Sequence, residues 1–303
     1  ECPRVGDRIA LMTAQVQGSH IKVWVDNVLR FDTEIQTDEL KTSGAVGVRT
    51  YALPARVDDI IWSVYSGPSV TLTSMADRQV YQRDVATGTG TLVLTGRTSE
   101  AASLKARVVT WDGGETVLDW FNVPLSADGT FSHAITVPQG GWYKTELKAE
   151  SADGSTVSAS SGRWGVGINI LCIGQSNMQG TGKPAPYVEA HDLASNFLNE
   201  RWIHLEDPYA NGDTSVAGNG NNNGASMTPA LANALAEEYG VPVGIIPAAK
   251  SGAGLVCDCS AYPRWLDRNP ADPDDRSNLY GNSLYRAKAA GGIEFILMNQ
   301  GEH

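Results

Sequence analysis

The chain has 303 residues, of which 42% are apolar, and this length exceeds one average domain, so two or three domains are expected. A formal net charge of -11 at pH 7 argues against a nucleic-acid partner, which would require a clustered basic face that the sequence lacks. No apolar run reaches the roughly 18 residues that a bilayer span requires, so no membrane span is predicted.

Residues 1–66 have the pattern of successive β-strands, IALMTAQV, HIKVWVDN, AVGVRT and ARVDDIIWSVY, separated by turn-forming residues. In the second segment Ile21, Val23 and Val25 alternate with Lys22, Trp24 and Asp26, as in a half-buried antiparallel strand. The order of the strands resembles the closing half of a concanavalin-like lectin sandwich. Half a sandwich leaves strand edges uncovered, so we expect residues 1–66 to be the C-terminal part of such a domain and not to fold alone.

The first residue, Glu1, is followed by strand-like sequence without the basic and apolar regions of a signal peptide. Either a signal peptide has been removed or the chain starts inside a longer protein.

Residues 67–163 form a second all-β segment with the strand candidates VTLTS, TLVLTG, LKARVVTW, TFSHAITV and WYKTELKAES. Asp-Gly dipeptides at 112–113, 128–129 and 153–154 separate them regularly, which predicts an immunoglobulin-like (Ig-like) β-sandwich. The stretch GGWYKTELKAESADG resembles the last strands of modules that accompany carbohydrate-active domains. Such a module either contacts glycans or serves as a spacer, and the spacer role is favoured.

From residue 164 the pattern changes to α/β. Residues 168–180, INILCIGQSNMQG, are an apolar run without alternation that ends in a small polar cluster, which predicts a buried strand of a parallel sheet. Ser176 would lie at the carboxyl end of this strand, the edge where open α/β sheets bind ligands. A serine in that position can attack an acyl carbon while its own N–H group helps to bind the oxyanion.

Two further strands end in polar motifs. TPALANALAEEYG and NSLYRAKAAGG are predicted helices, while VPVGIIPAA and IEFILM are predicted buried strands that end in KSGAG (250–254) and NQGEH (299–303). The polar run NGNNNG at 219–224 is interpreted as a loop at the rim of the site. Parallel strands with right-handed crossovers would place all three motifs at one edge of the sheet.

The motif GQSNM resembles the first block of the SGNH (GDSL-like) hydrolases, in the branch of sialate O-acetylesterases and carbohydrate esterase family 6. AAKSGAG resembles the second block of this family and NQGEH the third, with departures at Ser251, Ala253, Met298 and Asn299. The resemblance covers residues 165–303 and implies a flavodoxin-like three-layer α/β domain at 164–303, incomplete at its C-terminus.

The resemblance also implies the catalytic roles. Ser176 would be the nucleophile, and the oxyanion would be bound by the N–H groups of Ser176 and Gly252 and by the amide of Gln300. Glu302 would orient a catalytic histidine. The family supplies that histidine from a later D-x-x-H block, so the base is expected beyond residue 303. The histidines present are His20, His133, His191, His204 and His303, and none is assigned this role.

The predicted function is therefore a serine esterase that removes O-acetyl groups from carbohydrates, extracellular or periplasmic, with neither a metal nor an organic cofactor. Arg264 or Arg268 could bind a sialate carboxylate, and Trp265 and Tyr262 could stack on a sugar, although all of them could equally be packing residues. Whether the substrate is sialate or xylan stays open. The alternative is a glycan-binding or surface-adhesion protein with a degenerate SGNH domain.

Four cysteines leave the redox compartment open. Cys172 lies in the predicted buried strand and is most simply a small apolar residue. Cys257 and Cys259 lack the second ligand pair of a structural zinc site, whereas a disulfide in their loop is conceivable.

Overall fold

The structure is a computed structural model that describes residues 12–17, 20–25, 28–34, 68–182, 187–218, 224–256 and 263–301. It divides into two compact units, Glu1–Gly67 and Pro68–His303.

The first unit contains an antiparallel meander of three strands, β1 (Met12–Gln17), β2 (His20–Val25) and β3 (Val28–Glu34). The pairing of β2 with β3 shifts register between Val23 and Trp24. The third strand, VLRFDTE, was not among the predicted strands. AVGVRT and ARVDDIIWSVY lie outside the described residues, so the lectin-like sandwich stays a prediction.

The second unit begins with two facing β-sheets. Its first eight strands are β4 (Ser69–Leu72), β5 (Gln79–Gln82), β6 (Thr89–Ser99), β7 (Ser103–Thr110), β8 (Thr116–Asn122), β9 (Thr130–Pro138), β10 (Tyr143–Glu150) and β11 (Thr156–Ser160). One sheet has the order β4-β6-β9, and in the other β10-β7-β8 are neighbours with β11 added to β10. Leu94 and Phe131 from the first sheet share a core with Leu104 and Leu147 from the second. This arrangement is compatible with the predicted β-sandwich, and the Ig-like type stays a prediction.

Strand β12 (Trp164–Gly174) connects this part to the α/β part. Its first four residues pair in parallel with β5, and Trp164 also pairs with Tyr143 of β10. The predicted domain boundary after residue 163 therefore coincides with the start of one continuous strand. A short ion pair between Arg83 and Glu294, 2.8 Å from Nη2 to Oε1, also joins the two parts.

The remaining elements are α1 (Ser176–Gln179), β13 (Ala194–Leu198), β14 (Arg201–His204), α2 (Thr228–Tyr239), β15 (Val243–Pro247), α3 (Leu279–Ala289) and β16 (Phe295–Asn299). The strand order is β14-β13-β15-β12-β16, in which every pairing is parallel except that of β14. Helix α2 packs through Ala232 on the face of β12 that includes Ile170, whereas α3 packs through Ala287 on the face that includes Leu171. The sheet thus lies between helices, as expected for an α/β domain.

The predicted helices and buried strands of this part correspond to α2, α3, β12 and β15, but one element was missed and one prediction was wrong. The hairpin of β13 and β14 was not among the predicted elements. Strand β16 was predicted to be buried, yet Phe295, Ile296 and Met298 are 37%, 54% and 47% exposed. The reason is that β16 pairs only with β12 among the described strands and so forms an edge.

The described helices are all too short or too polar to cross a bilayer.

Candidate active site

Ser176 lies where the strand order of the sheet reverses. Strands β15 and β16 flank β12 on opposite sides, and Ser176 begins α1 two residues after β12 ends. Gly174, with φ +137°, permits this sharp exit, because a Cβ atom there would lie 1.9 Å from the carbonyl oxygen of Asn299. In open α/β sheets the crevice at such a reversal is the usual ligand site. The Ser176 side chain is half-buried at this edge.

The second predicted motif forms a tight turn beside the end of β12. Lys250 donates its N–H to the carbonyl oxygen of Gly174 (3.0 Å), and Ala253 N donates to Lys250 O (3.0 Å), which closes the 250–253 turn. Gly252, in its third position, has φ +76°. This left-handed conformation suits glycine at that position of a type II turn and disfavours other residues. Gly252 therefore lies at the same edge of the sheet as Ser176.

The third motif reaches the same edge, but the geometry of Gln300 differs from the prediction. Its Nε2 group donates to Gln175 Oε1 (2.7 Å) and to the carbonyl oxygen of Ala253 (2.8 Å). An amide has two N–H bonds, so both are occupied here and neither is available for an oxyanion. The contact with a backbone carbonyl, which can only accept, supports this orientation of the amide. Gln300 thus joins the ends of β16 and β12 to the 250–253 turn.

Two buried glutamines, which were not predicted as site residues, connect the loops around Ser176. Gln175 is 1% exposed and accepts the bond from Gln300. Gln179 is fully buried, accepts the N–H of Ser251 at its Oε1 (2.8 Å) and donates from Nε2 to the carbonyl oxygen of Ala217 (2.8 Å). Buried amides are costly unless they are hydrogen-bonded, so these bonds explain why polar residues occupy the core here.

Charged side chains support the loop that contains Ala217. The Lys250 ammonium group donates to the carbonyl oxygen of Gly218, and partial burial lowers its pKa. Below it, the buried Asp213 carboxylate pairs with Arg286 of α3 (2.6 Å). Arg286 also donates to the carbonyl oxygen of Pro247, the last residue of β15. Helix α3, strand β15 and the 213–218 loop are therefore held together next to the site.

The residues predicted to contact a sugar have different environments. Trp265 is only 5% exposed, packs with Ala253 and Leu279, and donates from Nε1 to Gly174 O (3.3 Å). This burial favours the packing role over stacking on a sugar. Arg264 is partly exposed and pairs with Asp267 (3.1 Å). Tyr262 lies outside the described residues.

The residues that follow Trp265 in the chain line an open polar cavity of about 390 Å³. Its lining consists of Leu266, Asp267, Arg268, Asn269, Asp275, Ser277 and Asn278. The Arg268 guanidinium lies 5.3 Å from the centre of the Tyr280 ring.

No described histidine of the α/β part lies at the Ser176 edge. His191 lies just before β13, at the end of the strand where Val243 N of β15 donates to Leu193 O. His204, on β14, pairs with Ser195 near the start of β13. Both therefore lie at the amino edge of the sheet, opposite Ser176. Glu302, His303, Cys257 and Cys259 lie outside the described residues. Cys172 is a free thiol in the core, and burial raises its pKa to about 12.

Residues 168–303 match the family model described as carbohydrate esterase, sialic acid-specific acetylesterase. The α/β part is similar to carbohydrate esterases. The match begins inside β12 and includes all three motifs at the carboxyl edge.

Solved structures that match parts of the chain include a carbohydrate acetylesterase from Xanthomonas citri, with 19% identity over 78% of this chain and 52% of that protein and a TM-score of 0.44. Another is a protein from Arabidopsis thaliana, with 23% identity, coverage of 45% and 57%, and a TM-score of 0.34. The chain thus spans little more than half the length of these two proteins. No curated protein matches the chain.

Proposed function

We propose that residues 164–303 are an SGNH-type serine esterase domain that removes O-acetyl groups from carbohydrates. The observation that supports this most directly is the position of Ser176 at the strand-order reversal, with the Gly252 turn bound to the end of the same strand. The match of residues 168–303 to the carbohydrate esterase family supports an O-acetylesterase function in general.

In the proposed reaction, Ser176 Oγ attacks the carbonyl carbon of the acetyl ester and gives its proton to a general base. The resulting oxyanion accepts hydrogen bonds from the backbone N–H groups of Ser176 and Gly252. Collapse of the tetrahedral intermediate breaks the bond to the sugar oxygen, which leaves as a hydroxyl after taking up the proton. Water then hydrolyses the acetyl-enzyme. For the base, the resemblance predicts a histidine oriented by the carboxylate of Glu302.

The hydrogen bonds of Gln300 change its proposed role from oxyanion donor to support of the site. The same observation is the reason to keep a second candidate, a non-catalytic glycan-binding or adhesion protein, because a degenerate site would lack one donor. In either case the partner is an acetylated or related glycan outside the cell or in the periplasm. The lectin-like segment 1–66 and the Ig-like segment 67–163 would be accessory modules.

The test is acetate release by the full-length protein from O-acetylated sialic acid, acetylated xylan and p-nitrophenyl acetate. Ser176→Ala should lower kcat by at least about 10³-fold, as expected for loss of a nucleophile. Ser158→Ala, which changes an exposed serine on β11, is the matched control and should have parental activity. Equal hydrolysis by the parent and Ser176→Ala would reject Ser176. Glycan binding without hydrolysis by either protein would favour the second candidate.

A further inference from the structure

We propose that Gln179 is a positioning residue, whose side chain holds the 250–253 turn so that the Gly252 N–H group stays available to the oxyanion. This inference rests on the proposed esterase function. Gln179 touches none of the reacting atoms in the proposed mechanism and acts through the turn.

Gln179 links the helix of the nucleophile directly to the turn. It lies three residues after Ser176 in α1, and its N–H donates to Gln175 O (3.0 Å). From this helix its side chain reaches Ser251 N at 2.8 Å. A shift of the turn relative to Ser176 would therefore break this hydrogen bond.

The hydrogen bond to Ser251 N leaves Gly252 as the remaining amide of the 250–253 turn that can donate to a ligand. Lys250 N donates to Gly174 O, Ser251 N donates to Gln179, and Ala253 N donates to Lys250 O. Among the described residues, Gly252 N alone in this turn has no hydrogen-bond partner. With the amides on either side of it fixed, the direction of the Gly252 N–H is fixed as well. Preorganised donors of this kind are the ones that stabilise an oxyanion efficiently.

The orientation of the Gln179 amide follows from its partners. A backbone N–H can only donate and a backbone carbonyl can only accept, so Oε1 must face Ser251 and Nε2 must face Ala217. The second bond, 2.8 Å long, attaches the 213–218 loop and prevents the amide from rotating away from the turn. Because the side chain is fully buried, water cannot replace either bond.

The first variant is Gln179→Met, which keeps an unbranched side chain of similar length and removes the hydrogen bonds to Ser251 N and Ala217 O. We expect its kcat for p-nitrophenyl acetate to fall at least about tenfold, with a smaller change in KM, because misplacement of catalytic groups by ~1 Å can cost 10²-fold. Tyr209→Phe is the matched control, since the Tyr209 hydroxyl anchors the same helix at Met178 O (2.5 Å) without touching the turn. It should lower the Tm and leave kcat within about threefold of the parent.

The second variant is Gln179→Glu, which keeps the acceptor for Ser251 N and places its other oxygen against Ala217 O. Only the protonated acid can donate to that carbonyl oxygen. The ratio of the kcat of the variant to that of the parent should therefore rise as the pH falls and the acid becomes protonated. Circular dichroism at each pH confirms that both proteins are folded. The pH dependence of this kcat ratio tests the proposed role of Gln179 even if Gln179→Met does not fold.

Several results would overturn the inference. One is a Gln179→Met kcat within twofold of the parent, and another is an equal loss of kcat in Tyr209→Phe, which would make the effect a general consequence of loosening α1. A kcat ratio for Gln179→Glu that does not vary with pH would also overturn it. The proposed function fails separately, through an active Ser176→Ala variant, so the two failures are distinguishable.

Discussion

Replacing Arg286 by leucine would test whether the buried ion pair beneath the site holds the α/β part together. The side chains of Arg286 and Asp213 are 7% and 2% exposed, with 2.6 Å between Nη2 and Oδ1. Arg286→Leu leaves the Asp213 carboxylate buried without its cation, although Ser215 N still donates to it (2.8 Å). Removal of one partner from a buried pair typically costs about 3 to 5 kcal/mol. For a unit of this size, each kcal/mol corresponds to about 2–4 °C in Tm, so the expected decrease is about 6–20 °C.

Scanning calorimetry of the full-length protein measures this decrease, and Lys288→Leu on the same helix provides the control. The Lys288 and Asp274 side chains are 58% and 39% exposed, so their ion pair should contribute less than about 1 kcal/mol. The double variant Arg286→Leu/Asp213→Leu should recover most of the lost stability, because it removes the Asp213 carboxylate that Arg286→Leu leaves unpaired. The reasoning is wrong if Arg286→Leu lowers the Tm no more than Lys288→Leu, or if the double variant is less stable than Arg286→Leu.

Three further predictions concern the site, an ion pair and the core. Gly252→Ala should lower kcat at least about tenfold, whereas the control Gly212→Ala should leave kcat unchanged. The two alanines would have similar backbone strain of about 1–2 kcal/mol, because the φ values of Gly252 and Gly212 are +76° and +77°. Equal kcat values for the two variants would contradict the proposed role of Gly252. Hydrogen bonds from Arg83 hold the pKa of Glu294 below its usual range, so the stability advantage of the parent over Glu294→Gln should be fully present above about pH 4.3 and decrease below it. Urea unfolding at pH 7 and pH 3 measures this, and an advantage that grows toward acid would refute the assignment. Since burial raises the pKa of Cys172 to about 12, iodoacetamide at pH 8 should modify it only in denaturant, and a modified Cys172 peptide in the mass spectrum of the native protein would contradict this.

The regular elements of the α/β part could be predicted where a single local signal was decisive. Helix α2 has a proline in its first turn and ends at Tyr239, and the next residue, Gly240, forms the C-terminal cap with a φ of +64° and an N–H bond to Ala236 O. Strand β12 was evident because both of its faces are buried, so it lacks polar alternation. Its true start, four residues before the apolar run, depends on pairing with the distant strand β5 and has no local signal.

Strand β13 was missed because its buried residues are partly polar. Its sequence, ASNFL, includes Ser195 and Asn196, both of which are almost fully buried. The Asn196 amide donates to the carbonyl oxygen of Tyr209 (2.6 Å), thirteen residues later in the chain. A buried polar residue of this kind depends on a tertiary partner, and such a partner is not visible in a local pattern of apolar residues.

The same reasoning explains which parts of the site could be predicted. Ser176 was predicted because a serine at the end of a buried strand is a local signal, and Gly252 because the motif AAKSGAG resembles the second block of the family. Whether Gln300 donates to an oxyanion or to its neighbours depends instead on Gln175 and Ala253, which lie 125 and 47 residues away in sequence. Polar side chains are usually exposed, so nothing in the sequence distinguishes a glutamine that supports the site from one on the surface. The supporting residues of a preorganised site therefore become visible only when the three strand ends are brought together.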